Sequence, residues 1–135
     1  KLGRKSESKK TPLWHRHNHS IETIEIFGRI VYTIVYTKLS MDFEWDERKD
    51  RANRAKHGIS FEFATRVFRD PDLIVKLDDY AHGEERWKVI GMADIRTLLF
   101  VVYTERINLF GNITTRIISA RRAKKIEKRA YRQIY

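Results

Sequence analysis

The densest group of side chains suited to binding or cleaving a phosphate ester lies between Arg116 and Tyr131, in the stretch RIISARRAKKIEKRAY. Six of the nine residues from Arg121 to Arg129 are basic. Ser119 stands where a strand pattern gives way to a helix pattern, and the free N–H groups at a helix start attract anions. Arg121 and Arg122 beside that start would add bidentate contacts to a phosphate. The alternative is that Ser119 only caps the helix and the cations are solvated.

Two further positions have the chemistry for proton transfer. Glu127 is the only acid among the last 20 residues, and in a helix it would lie beside Lys124 and Tyr131. It is either an ion-pair partner or a general base that also orients Tyr131, and the sequence leaves both interpretations open. Lys56 and His57 close a predicted helix, where a histidine either transfers protons near neutral pH or simply meets the negative helix end.

Metal chemistry finds little support in the residue pattern. His15, His17 and His19 alternate in HRHNHS, but no carboxylate or fourth ligand stands nearby, so a stray polar tract is the favoured interpretation. No Asp/Glu cluster of the kind used in two-metal nucleases is apparent, and no Walker loop or GxGxxG motif occurs. The sequence therefore predicts a site without a metal or cofactor.

Charge is concentrated at both ends of the chain, and the net charge is +10. Residues 1–40 carry 8 basic and 3 acidic groups, residues 41–115 carry 12 and 14, and residues 116–135 carry 8 and 1. This distribution indicates a polyanionic partner, with RNA or DNA first. The absence of cysteine excludes a disulfide scaffold and accords with a reducing, cytoplasmic setting. The most apolar run, residues 26–37, contains Arg29 and is too short to span a membrane.

The first 40 residues differ in character from the rest. Residues 1–20 are polar, basic and unpatterned, whereas residues 21–37 have the β-branched and aromatic content of a strand or two. We predict that residues 1–40 are a basic extension outside the functional domain, that Met41 is the natural start, and that residues 41–135 form the domain.

Residues 41–135 alternate between strand and helix patterns. Asp46 and Ser60 are suited to cap two helices, ERKDRANRAKH and FEFATRVFR, and Gly58 supplies the left-handed stop of the first. A short first strand is predicted where Phe43 and Trp45 alternate with Asp42 and Glu44. Further strands are predicted at 73–79, 85–94, 97–106 and 114–120, and a closing helix from about Arg121. The predicted order β-α-α-β-β-β-β-α describes an α+β domain with a mainly antiparallel sheet and flanking helices.

Several of these stretches together resemble the BrnT toxins of bacterial type II toxin–antitoxin systems. They are residues 43–71, 85–91, 98–106 and 116–131. The resemblance implies a RelE-like ribonuclease fold, RNA cleavage without a metal, arrest of translation and a cytoplasmic location. It also implies a partner, a small ribbon-helix-helix antitoxin similar to BrnA. In the toxin–antitoxin complex, only the antitoxin would bind DNA.

The resemblance also implies roles for single residues. The expected catalytic positions are Lys56, His57, Arg86, Arg106, Arg121, Glu127 and Tyr131. Beside the resemblance, the charge of the basic junction itself predicts four RNA-binding positions, Arg116, Ser119, Arg122 and Lys125. In the implied reaction the RNA 2′-OH attacks the adjacent phosphodiester and leaves a 2′,3′-cyclic phosphate and a 5′-OH. His57 or Glu127 would transfer protons, and the cations would stabilise charge on the phosphorane.

Two other functional classes remain open. The chain would be a non-catalytic RNA- or ribosome-binding protein if its basic ends served only for docking. It would be chiefly an interaction partner if the basic final helix docked an acidic segment of an antitoxin. RNA affinity without cleavage distinguishes the first class, and partner affinity without RNA affinity distinguishes the second.

Overall fold

The computed structural model describes residues 12–14, 21–26, 29–35, 41–81 and 83–133. The predictions for residues 1–11 and for the histidines of HRHNHS lie outside these ranges. Strands β1 (Ile21–Ile26) and β2 (Arg29–Val35) pair antiparallel as a two-stranded sheet of their own. No helix within the described ranges has the length and apolar character needed to cross a membrane.

A second, five-stranded sheet and its helices make up residues 41–133. The elements are β3 (Asp42–Glu44), α1 (Glu47–His57), α2 (Phe61–Ala64), a 3-10 segment (Thr65–Arg69), β4 (Ile74–Ala81), β5 (Glu84–Asp94), β6 (Thr97–Ile107), β7 (Ile113–Arg122) and α3 (Lys125–Arg132). The strand order is β3-β7-β6-β5-β4, with β3 parallel to β7 and the other three pairings antiparallel. The domain is thus a mixed α+β fold with flanking helices, as the sequence predicts.

Local capping signals place the first two helices. The Asp46 carboxylate accepts hydrogen bonds from the N–H groups of Arg48 at 2.8 Å and Lys49 at 3.3 Å. Gly58 ends α1 in the left-handed conformation, with φ of 71°. The Ser60 hydroxyl then accepts from the Phe63 N–H at 3.1 Å and starts α2. These are the caps that the sequence predicts.

The second helix is shorter than predicted. It ends at Ala64 and continues as a 3-10 segment to Arg69, whereas the sequence pattern indicates a helix to Arg69. The tighter 3-10 turn lies close against the sheet: a Cβ added at Gly91 would be 3.0 Å from the Val67 carbonyl oxygen. Close packing on Gly91 therefore accompanies the departure from regular α-helix.

The junction between β7 and α3 also differs from the prediction. β7 continues through Arg122, and α3 begins at Lys125, so the prediction of a helix from about Arg121 is wrong at its start. Arg121 pairs with Phe100 and Ser119 pairs with Val102 in β6. Ser119 is therefore a residue within the strand and caps no helix. Pairing with β6 overrides the local helical pattern because a strand is stabilised by its cross-strand neighbours.

The core lies between one sheet face and the layer formed by α1, α2 and the 3-10 segment. Two cross-strand rows face it, Val75-Val89-Val101-Ala120 and Leu77-Trp87-Tyr103-Ile117. Against them pack buried residues of α2 and the 3-10 segment, Phe61, Ala64, Val67 and Phe68. Asn53 joins α1 to β7: its amide donates at 2.8 Å to the carbonyls of Ile59 and Ala120, and it accepts from the Ala120 N–H at 3.1 Å. One face of the sheet is thus covered by the core, and the opposite face of the sheet is left outside it.

Candidate active site

We call the sheet face opposite the core the open face. Residues paired across neighbouring strands project from the same face, so the strand registers define rows of adjacent side chains. One row is Ile74, Ile90, Phe100 and Arg121. The next row is Lys76, Lys88, Val102 and Ser119. A row nearer the other end of the strands is Thr104, Arg116 and Glu44.

Alternation along the strands adds two arginines to this face. Arg86 precedes Lys88 by two residues in β5, and Arg106 follows Thr104 by two residues in β6, so both project from the open face. The basic side chains of the open face are Lys76, Arg86, Lys88, Arg106, Arg116 and Arg121. A surface that collects this many cations attracts a polyanion.

Arg121 is the most firmly held of these cations. Its Nη1 and Nη2 atoms donate to the two carboxylate oxygens of Glu127 at 2.6 and 2.8 Å, and Nη1 also reaches the Arg122 carbonyl at 3.2 Å. Its guanidinium carbon lies 4.2 Å from the centroid of the Phe100 ring. Of the five N–H donors of an arginine, these bonds leave one on Nη2 and the one on Nε for a ligand. Arg121 is thus held in a fixed orientation with two N–H groups unengaged by these bonds.

Glu127 is held as a carboxylate by the same contacts. The hydrogen bond from Arg121 lowers the pKa of Glu127, outweighing partial burial, and the Lys124 N–H at 2.7 Å lowers it further. The pair likewise raises the pKa of Arg121. A carboxylate with a depressed pKa and a bidentate partner is a weak proton acceptor. The geometry therefore favours the ion-pair interpretation of Glu127 over the general base.

The Glu127 ion pair predicts a pH-dependent stability. A depressed folded-state pKa means that the pair contributes fully above the unfolded glutamate pKa of about 4.3, and that this contribution is lost as the pH falls through the folded-state pKa. We expect Glu127→Gln to lower Tm near pH 7 and to differ progressively less from the parent below about pH 4. Thermal unfolding between these pH values measures the difference.

Glu62→Gln is the matched control for this titration, because Glu62 is exposed in the first turn of α2. We expect this control to follow the parent closely at both ends of the pH range. A Glu127→Gln deficit that stays constant as the pH falls would contradict the assigned ion pair.

A looser group of charges lies toward the other end of the open face. Arg106 approaches Glu84 at 3.1 Å and Glu44 at 3.7 Å, and Arg116 approaches the same Glu44 oxygen at 3.5 Å. That oxygen of Glu44 is inaccessible to solvent and accepts no hydrogen bond. Arg106 keeps 46% of its side chain exposed. Both arginines therefore have N–H groups available to a phosphate.

A groove of about 310 Å³ runs between the open face and α3. Its lining residues are Ile74, Lys76, Lys88, Ile90, Phe100, Ile126, Glu127 and Ala130. Lys88 also lies 3.5 Å from Asp78. The groove extends from Glu127, the partner of Arg121, to Lys76 and Lys88 of the neighbouring strands. A ligand in it would meet apolar side chains such as Ile90 and Phe100 as well as the two lysines.

The remaining expected site residues lie apart from this face or at its margin. Lys56 and His57 end α1, which packs through Asn53 on the core side of the sheet; among the described residues no hydrogen bond or ion pair joins them to the open face. Arg122 pairs with Leu99 and is exposed at the end of β7, and Lys125 is exposed at the start of α3.

Tyr131 anchors α3 to Asp70, the residue that follows the 3-10 segment. Its hydroxyl donates to Asp70 Oδ2 at 2.7 Å, and the same oxygen accepts from the Met92 N–H at 2.6 Å.

The open face brings together five of the expected site residues: Arg86, Arg106, Arg116, Ser119 and Arg121. Glu127 joins them through its ion pair with Arg121. No group of three or more potential metal-ligating side chains forms within the described ranges.

Sequence patterns did not predict five residues that lie among the charged groups of the open face or line the groove. They are Glu44, Glu84, Lys76, Lys88 and Phe100. Lys88 and Phe100 carried a signal, because each lies an even number of positions from Arg86 or Arg106 in the same predicted strand and so shares its face. The others depend on which strands are neighbours, which residue spacing does not encode.

The fold and the open face define a small α+β protein with an arginine-rich sheet surface. The family described as "Ribonuclease toxin, BrnT, of type II toxin-antitoxin system" matches residues 45–127, and the chain belongs to this family. The solved structures include the Brucella abortus ribonuclease toxin BrnT, which is 23% identical, with a TM-score of 0.48 over 64% of this chain and 100% of that one. No curated protein matches the chain.

Proposed function

We propose that this member of the BrnT ribonuclease toxins cleaves RNA on the open face without a metal, and that cleavage inhibits translation. The observation that carries the proposal is the convergence of Arg86, Arg106, Arg116 and Arg121 on one sheet face. Arginine binds phosphate oxygens through a planar fork of donors, which suits both ground-state binding and a charged transition state. We further assign the sheet and its helices to the RelE-like fold class.

In the proposed reaction, the 2′ oxygen of RNA bonds to the adjacent phosphorus and the bond from phosphorus to the 5′ oxygen breaks. A base removes the 2′ proton, and an acid supplies a proton to the departing 5′ oxygen, giving a 2′,3′-cyclic phosphate and a 5′-OH. Arg121, held by Glu127, would donate to a non-bridging oxygen on which charge develops. Arg106 and Arg116 would hold the neighbouring phosphates.

The proposal assigns proton transfer to no named residue, because His57 ends α1 on the core side of the sheet, away from the open face. Glu127 acts as a positioning residue for Arg121, because its carboxylate is already engaged. His57 is partly exposed at the end of α1, with Lys56 beside it as a further cation. Ser119, Arg122 and Lys125 would contact RNA outside the scissile bond, and Tyr131 would keep α3 in place through Asp70.

The partners follow from the family. A ribonuclease toxin of a type II system acts on RNA and has an antitoxin. We propose a BrnA-like ribbon-helix-helix protein that covers the open face and supplies the only DNA contact of the complex. The proposed location is the cytoplasm. Residues 41–135 constitute the toxin domain in this proposal, and residues 1–40 precede it as an extension.

The test is digestion of a defined RNA by the full chain in the presence of EDTA, followed by analysis of the product ends. We expect cleavage that leaves 5′-OH ends, and its loss in an Arg106→Ala, Arg121→Ala double variant. Arg96→Ala is the control, since Arg96 is exposed in the turn between β5 and β6 and lies off the open face.

Binding without cleavage would overturn the enzymatic proposal. If the parent binds RNA but leaves it intact, with affinity lost in the double variant, the open face is a docking surface for RNA or the ribosome. If the parent neither binds nor cuts RNA, the basic face serves contact with the antitoxin.

A further inference from the structure

Three residues far ahead of β3 in the sequence lie against the domain core. Pro12 is fully buried, and Trp14 is only 5% exposed. The Trp14 indole N–H donates to the Tyr103 hydroxyl at 2.9 Å. The backbone N–H groups of Leu13 and Trp14 donate to the two oxygens of the Glu105 carboxylate at 2.8 and 3.0 Å. This segment is therefore held through both its backbone and its indole.

The surface that receives Trp14 is called the Trp socket and consists of Phe43, Phe68, Tyr103 and Glu105. The rings of Trp14 and Phe68 meet edge to face, with centroids 5.5 Å apart. Phe68 is in turn 5.0 Å from Tyr103 and 5.2 Å from Phe43. Burial raises the pKa of Tyr103, against the opposing hydrogen bond from Trp14, so its hydroxyl stays protonated. The Trp socket is an aromatic pocket with two hydrogen-bond acceptors, the Tyr103 hydroxyl and the Glu105 carboxylate.

We propose that the Trp socket is a peptide-binding site that recognises a short segment with a tryptophan in a helical turn, and that Pro12-Leu13-Trp14, in which Leu13 and Trp14 are helical, fills it in cis. The two oxygens of Glu105 match the two successive N–H groups, and the Tyr103 hydroxyl matches the indole. Proline has no N–H, so its position before Leu13 leaves no backbone donor unpaired at the buried end. The segment lies outside residues 45–127, which the family matches.

The Trp socket borders the open face without sharing a residue with it. Glu105 stands between Thr104 and Arg106 in β6, and alternation directs Glu105 toward the socket and Arg106 toward the open face. Binding of the segment is therefore measurable without any assay of RNA cleavage. Failure of the proposed nuclease activity would leave this site untouched, and the reverse also holds.

Hydrogen exchange of the indole N–H groups in the full chain tests the site directly. We expect the Trp14 indole proton to exchange slowly in NMR spectra, because it is buried and bonded to Tyr103. Trp45 is the internal control, since its indole donates to Glu47 at an exposed site. Tyr103→Phe should accelerate exchange at Trp14 alone. Fast exchange of Trp14 in the parent would overturn the proposal.

A second experiment supplies the segment in trans. Trp14→Ala in the full chain should lower Tm by about 10 °C, since it empties an aromatic pocket, whereas Leu109→Ala at a fully exposed position should not. A peptide with the sequence of residues 11–20 should then raise Tm of the Trp14→Ala protein in a saturable manner. The same peptide with alanine for tryptophan should have no effect.

The carboxylate is tested with the same peptide. Glu105→Gln, added to Trp14→Ala, should weaken peptide binding about tenfold by removing a charged acceptor of two backbone N–H groups. If Trp14→Ala fails to fold, Trp14→Phe takes its place as recipient, with the tryptophan peptide as competitor. An unchanged Tm for Trp14→Ala, or equal rescue by both peptides, would show that the socket recognises no tryptophan segment.

Discussion

Arg121→Ala is expected to lower the rate of RNA cleavage by about 10²–10³-fold, the usual effect of removing one donor from developing charge. Arg121 is fixed by the Glu127 carboxylate and by the Phe100 ring, so its remaining donors are already oriented when RNA binds. Arg121→Lys should recover only a small part of the rate, because an ammonium keeps the charge but lacks the bidentate fork. Single-turnover cleavage of a short RNA measures the rate.

Arg122→Ala is the matched control for this prediction. Arg122 is the next residue in β7, equally cationic, but it is exposed and pairs with Leu99 on the core side. We expect it to weaken RNA affinity only a few-fold, with a smaller dependence on salt. Equal losses for Arg121→Ala and Arg122→Ala would mean that net charge, and not the fixed guanidinium, is what the reaction uses.

Glu127 provides an internal check on the same site. If Glu127 acts only by holding Arg121, Glu127→Gln should lower the rate in the parent and have almost no further effect in the Arg121→Ala background. A further large loss in that double variant would instead assign Glu127 an independent role in proton transfer.

The second large effect concerns stability. Asn53→Ala is expected to lower the free energy of unfolding by about 3 kcal/mol, because three buried backbone groups lose their partner at once. These groups are the Ile59 carbonyl and the carbonyl and N–H of Ala120. No water reaches Asn53 easily, since it is 8% exposed. Urea unfolding at equilibrium measures the change.

Asn112→Ala is the control for Asn53, because Asn112 is exposed in the β6–β7 loop. We expect a change within about 0.5 kcal/mol at this surface position. A loss below about 1 kcal/mol for Asn53→Ala would show that α1 is held to β7 by apolar packing alone.

Features that depend on neighbours in sequence were predictable. Asp46, Gly58 and Ser60 each act on residues within one turn, so their capping roles follow from residue type and position. The strands of the sheet have the alternating pattern of a half-buried surface, and their short connections imply hairpins. The mixed α+β class follows from these elements together.

Features that depend on distant residues were not predictable. Arg121 looks like the first residue of a basic helix, and only its pairing with Phe100 makes it a strand residue. Its bond with Glu127 follows from that change, since it brings the end of β7 across the start of α3. Trp14 likewise stands in a polar tract without pattern, and its burial depends on Tyr103 and Glu105.

The expected site residues also differ in whether the structure places them on the open face. Arg86 and Arg106 were expected in the site by resemblance, and the strand registers account for why they share a face with Arg121. Lys56 and His57 were expected with them, but α1 lies on the core side of the sheet. Spacing along the chain carries no signal for which side of a sheet a helix covers.

The pairing of β3 with β7 bears on the order in which the domain folds. Strands β4 to β7 are joined by successive hairpins, so the surface that bears Arg86, Arg106, Arg116 and Arg121 arises from contacts between near neighbours. β3 must instead find its parallel partner across most of the domain, which carries a larger loop-closure entropy. The positive surface can thus form before β3 docks, and pairing of β3 with β7 is the step that depends most on loop closure.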